Sequence, residues 1–204
     1  MFKNSLSIDK SRFNSMFPNY DYDFLNKLFG TWDQIEGSTF GWDDMNGSFQ
    51  QTSLHKKAFL LLKPKNILEV GTHKGSYSYF CKMEIPSCKI WTFGIDPESK
   101  TCTDLINEHF GENFITFIEG DSTKTMPEFN DKVKFDLAWV DGHHAYEYAM
   151  SDLEQCARLK INNILVDDLS MPSVRKAVND FAAKSGYTLI EESKDSRIIG
   201  WLAK

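Results

Sequence analysis

The chain has 204 residues, a net charge of −6 and a pI of about 5.4. That length suits one α/β domain with a sizeable core and an appendage. The acidic balance argues against a nucleic-acid surface, and no run approaches the roughly 18 apolar residues of a membrane span, so a small-molecule or saccharide partner is expected. Homo-oligomer formation is left open. Cys81, Cys88, Cys102 and Cys156 show no CxxC spacing. They read as reduced thiols, and with no signal-peptide-like start the expected location is cytoplasmic.

Residues 1–50 stand apart. They hold 11 of the 28 aromatic residues, among them Phe13, Phe17, Tyr20, Phe24, Trp32 and Trp42. A helix is predicted over 18–29, and Gly30 to Gly47 reads as loop. The segment is either a wrap over core or interface surface, or a lid whose aromatics bound a pocket. From residue 51 onward strands and helices alternate. A helix from Ser53, a plausible N-cap, to Leu62 stops before Pro64. Five short apolar runs follow and end near Glu69, Asp96, Asp121, Asp141 and Asp167-Asp168. They read as parallel strands buried on both faces. Between and after them, helices are predicted over 75–84, 100–110, 145–159 and 172–184. The tail reads as a closing hairpin, Tyr187 to Glu191 with Arg197 to Leu202. The fold class is therefore a doubly wound, mostly parallel α/β sheet with a C-terminal antiparallel hairpin.

In such a sheet the ligand crevice lies beyond the carboxyl ends of the strands, so the acidic residues converge on it. The turn Glu69-Val70-Gly71-Thr72-His73-Lys74-Gly75-Ser76 is neither GxGxxG nor a phosphate-binding GxxxxGK[ST] loop. Its glycines allow a sharp turn and a close approach, and the helix start beyond offers free N–H groups to a carboxylate. Asp96, 25 residues past Gly71, is placed to accept from a ribose diol. Asp121-Ser122 is placed to meet an adenine edge.

This set resembles the class I S-adenosylmethionine-dependent methyltransferases over residues 53–202. Glu69-x-Gly71-x-x-x-Gly75 looks like that family's first motif, Gly94-Ile95-Asp96 like the second, and Glu119-Gly120-Asp121-Ser122 like the third. The resemblance implies a cofactor held by Glu69, Gly71, Thr72, Gly75, Ser76, Asp96, Asp121, Ser122 and Asp141, with the hairpin supplying the family's reversed seventh strand. A nicotinamide oxidoreductase and a non-catalytic cofactor-binding protein are the alternatives.

The segment Asp141-Gly142-His143-His144-Ala145-Tyr146 faces Asp167-Asp168 if their strands are neighbours. Three carboxylates together call for a cation, Mg²⁺, Mn²⁺ or Ca²⁺ by their chemistry. Otherwise these residues only cap helices. The block resembles the metal-dependent O-methyltransferases with an Asp-Gly-x-His segment, including the macrolide-sugar and cephalosporin-modifying types. That resemblance implies Mg²⁺ on Asp141, Asp167 and Asp168, His144 as the base, and O-methyl transfer to a hydroxyl of a small molecule or sugar. His143 is a weaker candidate for the base. Tyr146 lines the pocket or packs, His73 and Lys74 are expected to be solvated, and His55 and His109 to be structural.

Overall fold

The computed structural model describes residues 10–28, 52–129, 132–193 and 198–204. The elements in chain order are α1 (Lys10–Met16), α2 (22–28), α3 (Thr52–Leu62), β1 (Asn66–Val70), α4 (Ser76–Glu84), β2 (Lys89–Gly94), α5 (Pro97–Phe110) and β3 (Ile115–Glu119). They continue as α6 (Ser122–Glu128), β4 (Leu137–Val140), α7 (Tyr146–Arg158), β5 (Asn163–Val166), α8 (Pro172–Ser185), β6 (Thr188–Glu192) and β7 (Gly200–Ala203).

The seven strands form one sheet in the order β3-β2-β1-β4-β5-β7-β6. β1 pairs in parallel with β2 and β4, and β4 with β5, while β7 runs antiparallel to both β5 and β6. Strand alternation divides the core between the two faces. Ile67, Ile90, Trp139, Leu165 and Trp201 face one apolar cluster with Phe59 and Phe80. Leu68, Val70, Phe93, Val140 and Val166 face the other, with Leu153, Val178 and Phe181 of α7 and α8. The order reverses direction at β1 and β4, so the exits of these two strands open a crevice at the carboxyl edge.

Several boundaries differ from expectation. α5 begins at Pro97 rather than residue 100, because proline is favoured in the first turn, directly after the N-cap Asp96. α2 begins at 22 rather than 18. Residues 18–20 turn, and Asp21 Oδ1 accepts the Phe24 N–H at 3.0 Å. α3 starts at Thr52, which puts Ser53 inside the helix rather than at its cap. α6 was not foreseen. Asp121 caps it, its Oδ1 accepting the Thr123 N–H at 3.0 Å. β7 begins only at Gly200, since the Ile199 N–H goes to Ser193 Oγ at 2.9 Å instead of continuing the ladder.

Part of the aromatic N-terminal segment is described. Phe13, Leu25 and Leu28 are fully buried. Phe24 stacks on His109, ring centroids 3.9 Å apart, and Tyr79 Oη accepts the Asp21 N–H at 3.1 Å. Residues 10–28 thus cover α4 and α5. The expected loop from Gly30 to Gly47 lies outside the described residues. All four cysteines are buried free thiols. Among the described residues no helix is long and apolar enough to cross a membrane.

Candidate active site

The site grows from the turn after β1. Gly71 has φ 96°, and a Cβ there would lie 1.9 Å from the Asp141 carbonyl oxygen. Only glycine lets the exits of β1 and β4 touch in this way. Two backbone bonds fix the contact: Gly71 N–H to Phe93 O at 2.9 Å and Asp141 N–H to Val70 O at 2.8 Å. Gly75 has a different task. It sits at the α4 N-cap with φ 73°, and a Cβ there would meet Ile106 Cδ1 at 2.7 Å. Gly75 lets α4 and α5 pack closely and is not among the described residues lining the cavity.

That cavity holds about 580 Å³ at the carboxyl edge of the sheet. Glu69, Gly71, Thr72, Ser76, Asp96, Asp121, Ser122, Asp141 and His144 all line it. Most of the residues anticipated for a cofactor therefore share one pocket. Glu69 is buried beneath the turn, and its Oε2 accepts the Ser78 hydroxyl at 2.7 Å. Burial pushes its carboxyl up to about 8, against the pull of the Ser78 bond. Thr72 and Thr92 share a buried hydroxyl bond of 2.6 Å that pins the turn to β2. Asp121 is held below the usual carboxylate range, first by its bond from the Thr123 hydroxyl. One of its oxygens is thus already committed to the α6 cap.

A second cluster stands where β4 and β5 end. Ligand atoms of Asp141, His144 and Asp168 all lie within 4.8 Å of one another. His144 Nε2 is 2.9 Å from Asp168 Oδ2 and 4.0 Å from Asp141 Oδ1. Asp168 takes a left-handed backbone, φ 54°, a conformation that aspartate tolerates better than most residues. Asp167 does not join the cluster. Successive residues at a strand end point to opposite sides, and Asp167 Oδ1 accepts the Asp168 N–H at 2.7 Å. Two carboxylates and an imidazole are oxygen and nitrogen donors of the kind that hold Mg²⁺ or Mn²⁺, so the donor set fits a hard divalent ion.

Other residues fall differently from expectation. Lys74 is fully buried rather than solvated, whereas His73 is exposed on the cavity wall. His143 Nδ1 accepts the Ala145 N–H at 3.1 Å, and its ring lies 4.5 Å from Tyr148. Tyr146 Oη donates to Asp180 at 2.9 Å and is not among the described lining residues. His55 packs against Trp139, 4.5 Å between centroids, in the aromatic core.

Three contributors were not anticipated. Tyr77 and Trp139 stack at 5.1 Å and form an aromatic wall of the cavity. The signal was available: Trp139 is the register partner of Glu69, so alternation puts both on one face. The third is Asp152 on α7. It is 1% exposed, burial raises its carboxyl to about 7, and neither oxygen has a hydrogen-bond partner among the described residues.

Comparison with known proteins agrees with this geometry. A family model described as a methyltransferase domain matches residues 68–168. No curated protein matches the sequence. Among solved structures, an O-methyltransferase from Bacillus cereus in complex with S-adenosylhomocysteine superposes with a TM-score of 0.70 at 14% identity, covering 100% of both chains. The O-methyltransferase TomG from Streptomyces achromogenes, involved in tomaymycin synthesis and solved with S-adenosylmethionine, gives 0.68 at 16% identity, covering 100% of this chain and 98% of that one. An S-adenosylhomocysteine-bound methyltransferase from Podospora anserina gives 0.65 at 16% identity, covering 98% of each. With the strand order and the glycine turn, residues 68–168 form a methyltransferase domain, and the chain has the fold of the class I S-adenosylmethionine-dependent methyltransferases.

Proposed function

We propose that the protein transfers the methyl group of S-adenosylmethionine to a hydroxyl of a small molecule or sugar, with Mg²⁺ or a similar divalent ion held by Asp141 and Asp168. The observation that carries this reading is the convergence of Asp141, His144 and Asp168, the first two of which line the same cavity as the glycine turn. Two of the structural neighbours are O-methyltransferases, which supports an oxygen acceptor.

In this reading Asp96 accepts from the ribose hydroxyls and Ser122 meets the base. The start of α4, beside Ser76, faces the methionine carboxylate. Glu69 supports the turn from below. When bound, the divalent ion lowers the pKa of the acceptor hydroxyl. His144, with its side chain 42% exposed at the cavity mouth, receives the proton. Asp168 orients its ring through the 2.9 Å contact. The Tyr77–Trp139 wall excludes water beside the sulfonium. Most of the acceleration comes from holding oxygen, methyl carbon and sulfur in line, since the sulfonium is already reactive.

The test is methyl transfer from labelled S-adenosylmethionine to a panel of sugars, phenols and amines, with and without EDTA. The expected result is transfer to hydroxyl acceptors that EDTA suppresses. Transfer confined to amines, or unchanged by EDTA, overturns the proposal.

A further inference from the structure

The segment between β5 and α8 carries Asp168, and it is tied down on two sides. Leu169, the next residue, is buried, and its N–H donates to Ile198 O at 2.8 Å. Its carbonyl accepts Arg175 Nε at 2.9 Å. The same guanidinium forks onto Glu192 at the end of β6, with Nη1 2.5 Å from Oε1 and Nη2 3.0 Å from Oε2. A half-exposed ion pair on its own adds little stability. Its consequence lies in where it holds the Leu169 carbonyl, one residue from the Asp168 carboxylate. On the other side, Ser173 in the first turn of α8 donates its hydroxyl to the His144 backbone carbonyl at 2.7 Å. That bond joins the segment after β5 to the turn after β4, the two stretches that bring Asp141, His144 and Asp168 together. Asp168 has φ 54°, a backbone that persists only where its surroundings hold it. Neither Ser173 nor Arg175 is among the described residues lining the cavity.

We infer that Ser173 and Arg175 are positioning residues: Arg175 fixes Asp168 through the Leu169 carbonyl, and Ser173 fixes His144 through its own carbonyl, so that the start of α8 sets the spacing of carboxylate and imidazole. This assignment rests on the proposed metal-assisted methyl transfer, in which Asp168 is a ligand and His144 the base. Arginine suits its place because a planar fork with a third N–H can hold a carboxylate and a carbonyl at once, which an ammonium cannot reproduce. Removing groups that orient ligands in this way typically costs about 10- to 100-fold in metal affinity or activity.

The experiment uses the full chain as wild type, Arg175→Lys, Ser173→Ala, Ser173→Thr and Lys184→Ala. The last is the control, since it breaks an exposed ion pair with Glu154 farther along α8. Mn²⁺ affinity is read by calorimetry with saturating S-adenosylhomocysteine, and thermal unfolding is recorded in EDTA. Methyl transfer is measured at saturating Mn²⁺ with a hydroxyl acceptor. Arg175→Lys is expected to weaken Mn²⁺ binding about 10- to 100-fold, because lysine keeps the charge and loses the fork. Ser173→Ala is expected to lower kcat about 10- to 100-fold while changing Mn²⁺ affinity less than Arg175→Lys does. Ser173→Thr, which keeps the hydroxyl, is expected to restore kcat, and Lys184→Ala to match the wild type throughout. Wild-type Mn²⁺ affinity in Arg175→Lys, or wild-type kcat in Ser173→Ala, overturns the inference. Losses that simply follow the melting temperature, Lys184→Ala included, overturn it as well and leave both residues with a structural role. Should Arg175→Lys fail to fold, Glu192→Gln decides: wild-type Mn²⁺ affinity there overturns the inference too. If the wild type itself binds no Mn²⁺, the metal reading fails and takes the inference with it, an outcome distinct from binding that the variants retain.

Discussion

His144 Nε2 lies 2.9 Å from Asp168 Oδ2, although the two residues follow different strands. β4 and β5 are parallel neighbours, so their exits deliver the imidazole and the carboxylate to the same point. Asp141 completes the group from the end of β4. For a base this arrangement fixes the ring orientation. For a cation it supplies two carboxylates within reach of one another.

His144→Ala is expected to slow methyl transfer by roughly 10²- to 10⁴-fold, the usual contribution of a positioned general base. The deficit shrinks as pH rises, because an acceptor that is already ionised needs no base. Rates measured across pH with one active acceptor check this. A variant with wild-type rates at every pH reduces His144 to a structural residue.

Asp96→Ala is expected to weaken S-adenosylhomocysteine binding by about 10- to 150-fold, the loss of a charge-assisted bond to the ribose. Asp96 lines the cavity directly after β2, at the N-cap of α5. Calorimetry showing unchanged affinity removes it from the site.

Glu69 gives a pH signature. Its carboxyl titrates at about 8 in the folded protein because it is buried, against about 4.5 as the ordinary value. The folded state thus holds this proton more tightly than the unfolded state. The resulting stabilisation is complete below the ordinary value and is lost as pH rises to about 8. Glu69→Gln removes that dependence. Relative to the variant, wild-type stability should fall across this window by an amount on the order of a few kcal/mol and level off above it. Chemical denaturation at a series of pH values checks this, and parallel pH profiles for the two proteins contradict it.

Gly71→Ala tests the contact between the two strand exits. A methyl group cannot occupy a point 1.9 Å from the Asp141 carbonyl oxygen, and φ 96° is strained for alanine. The backbone must move, at a cost of roughly 2–5 kcal/mol. Thermal unfolding should show a clear drop, and a melting temperature equal to the wild type contradicts the geometry.

The sheet was legible because its strands are short apolar runs with acidic ends, and those ends mark the carboxyl edge. The positions of Asp96, Asp121 and Asp141 on the cavity followed from strand order alone. What could not be read depends on local direction. Asp167 and Asp168 are adjacent in sequence, but strand alternation and the left-handed backbone at Asp168 send only the second towards Asp141. Gly75 belongs to the same motif as Gly71 yet serves the packing of α4 on α5, which depends on Ile106, 31 residues away. Asp152 carries no distinguishing signal in the sequence, and only tertiary packing buries it. α6 is not legible in the sequence because Asp121, the residue that caps its start, fits a ligand contact equally well.

The most direct measurement is Mn²⁺ binding, followed by calorimetry in the presence of saturating S-adenosylhomocysteine, for the wild type, Asp141→Ala and Asp168→Ala. The account predicts one Mn²⁺ bound per wild-type chain, binding lost in both variants, and S-adenosylhomocysteine affinity largely kept in Asp168→Ala, whose side chain lies outside the cofactor contacts. No Mn²⁺ binding by the wild type, or equal binding in the variants, contradicts the metal site and with it the proposed route to the acceptor.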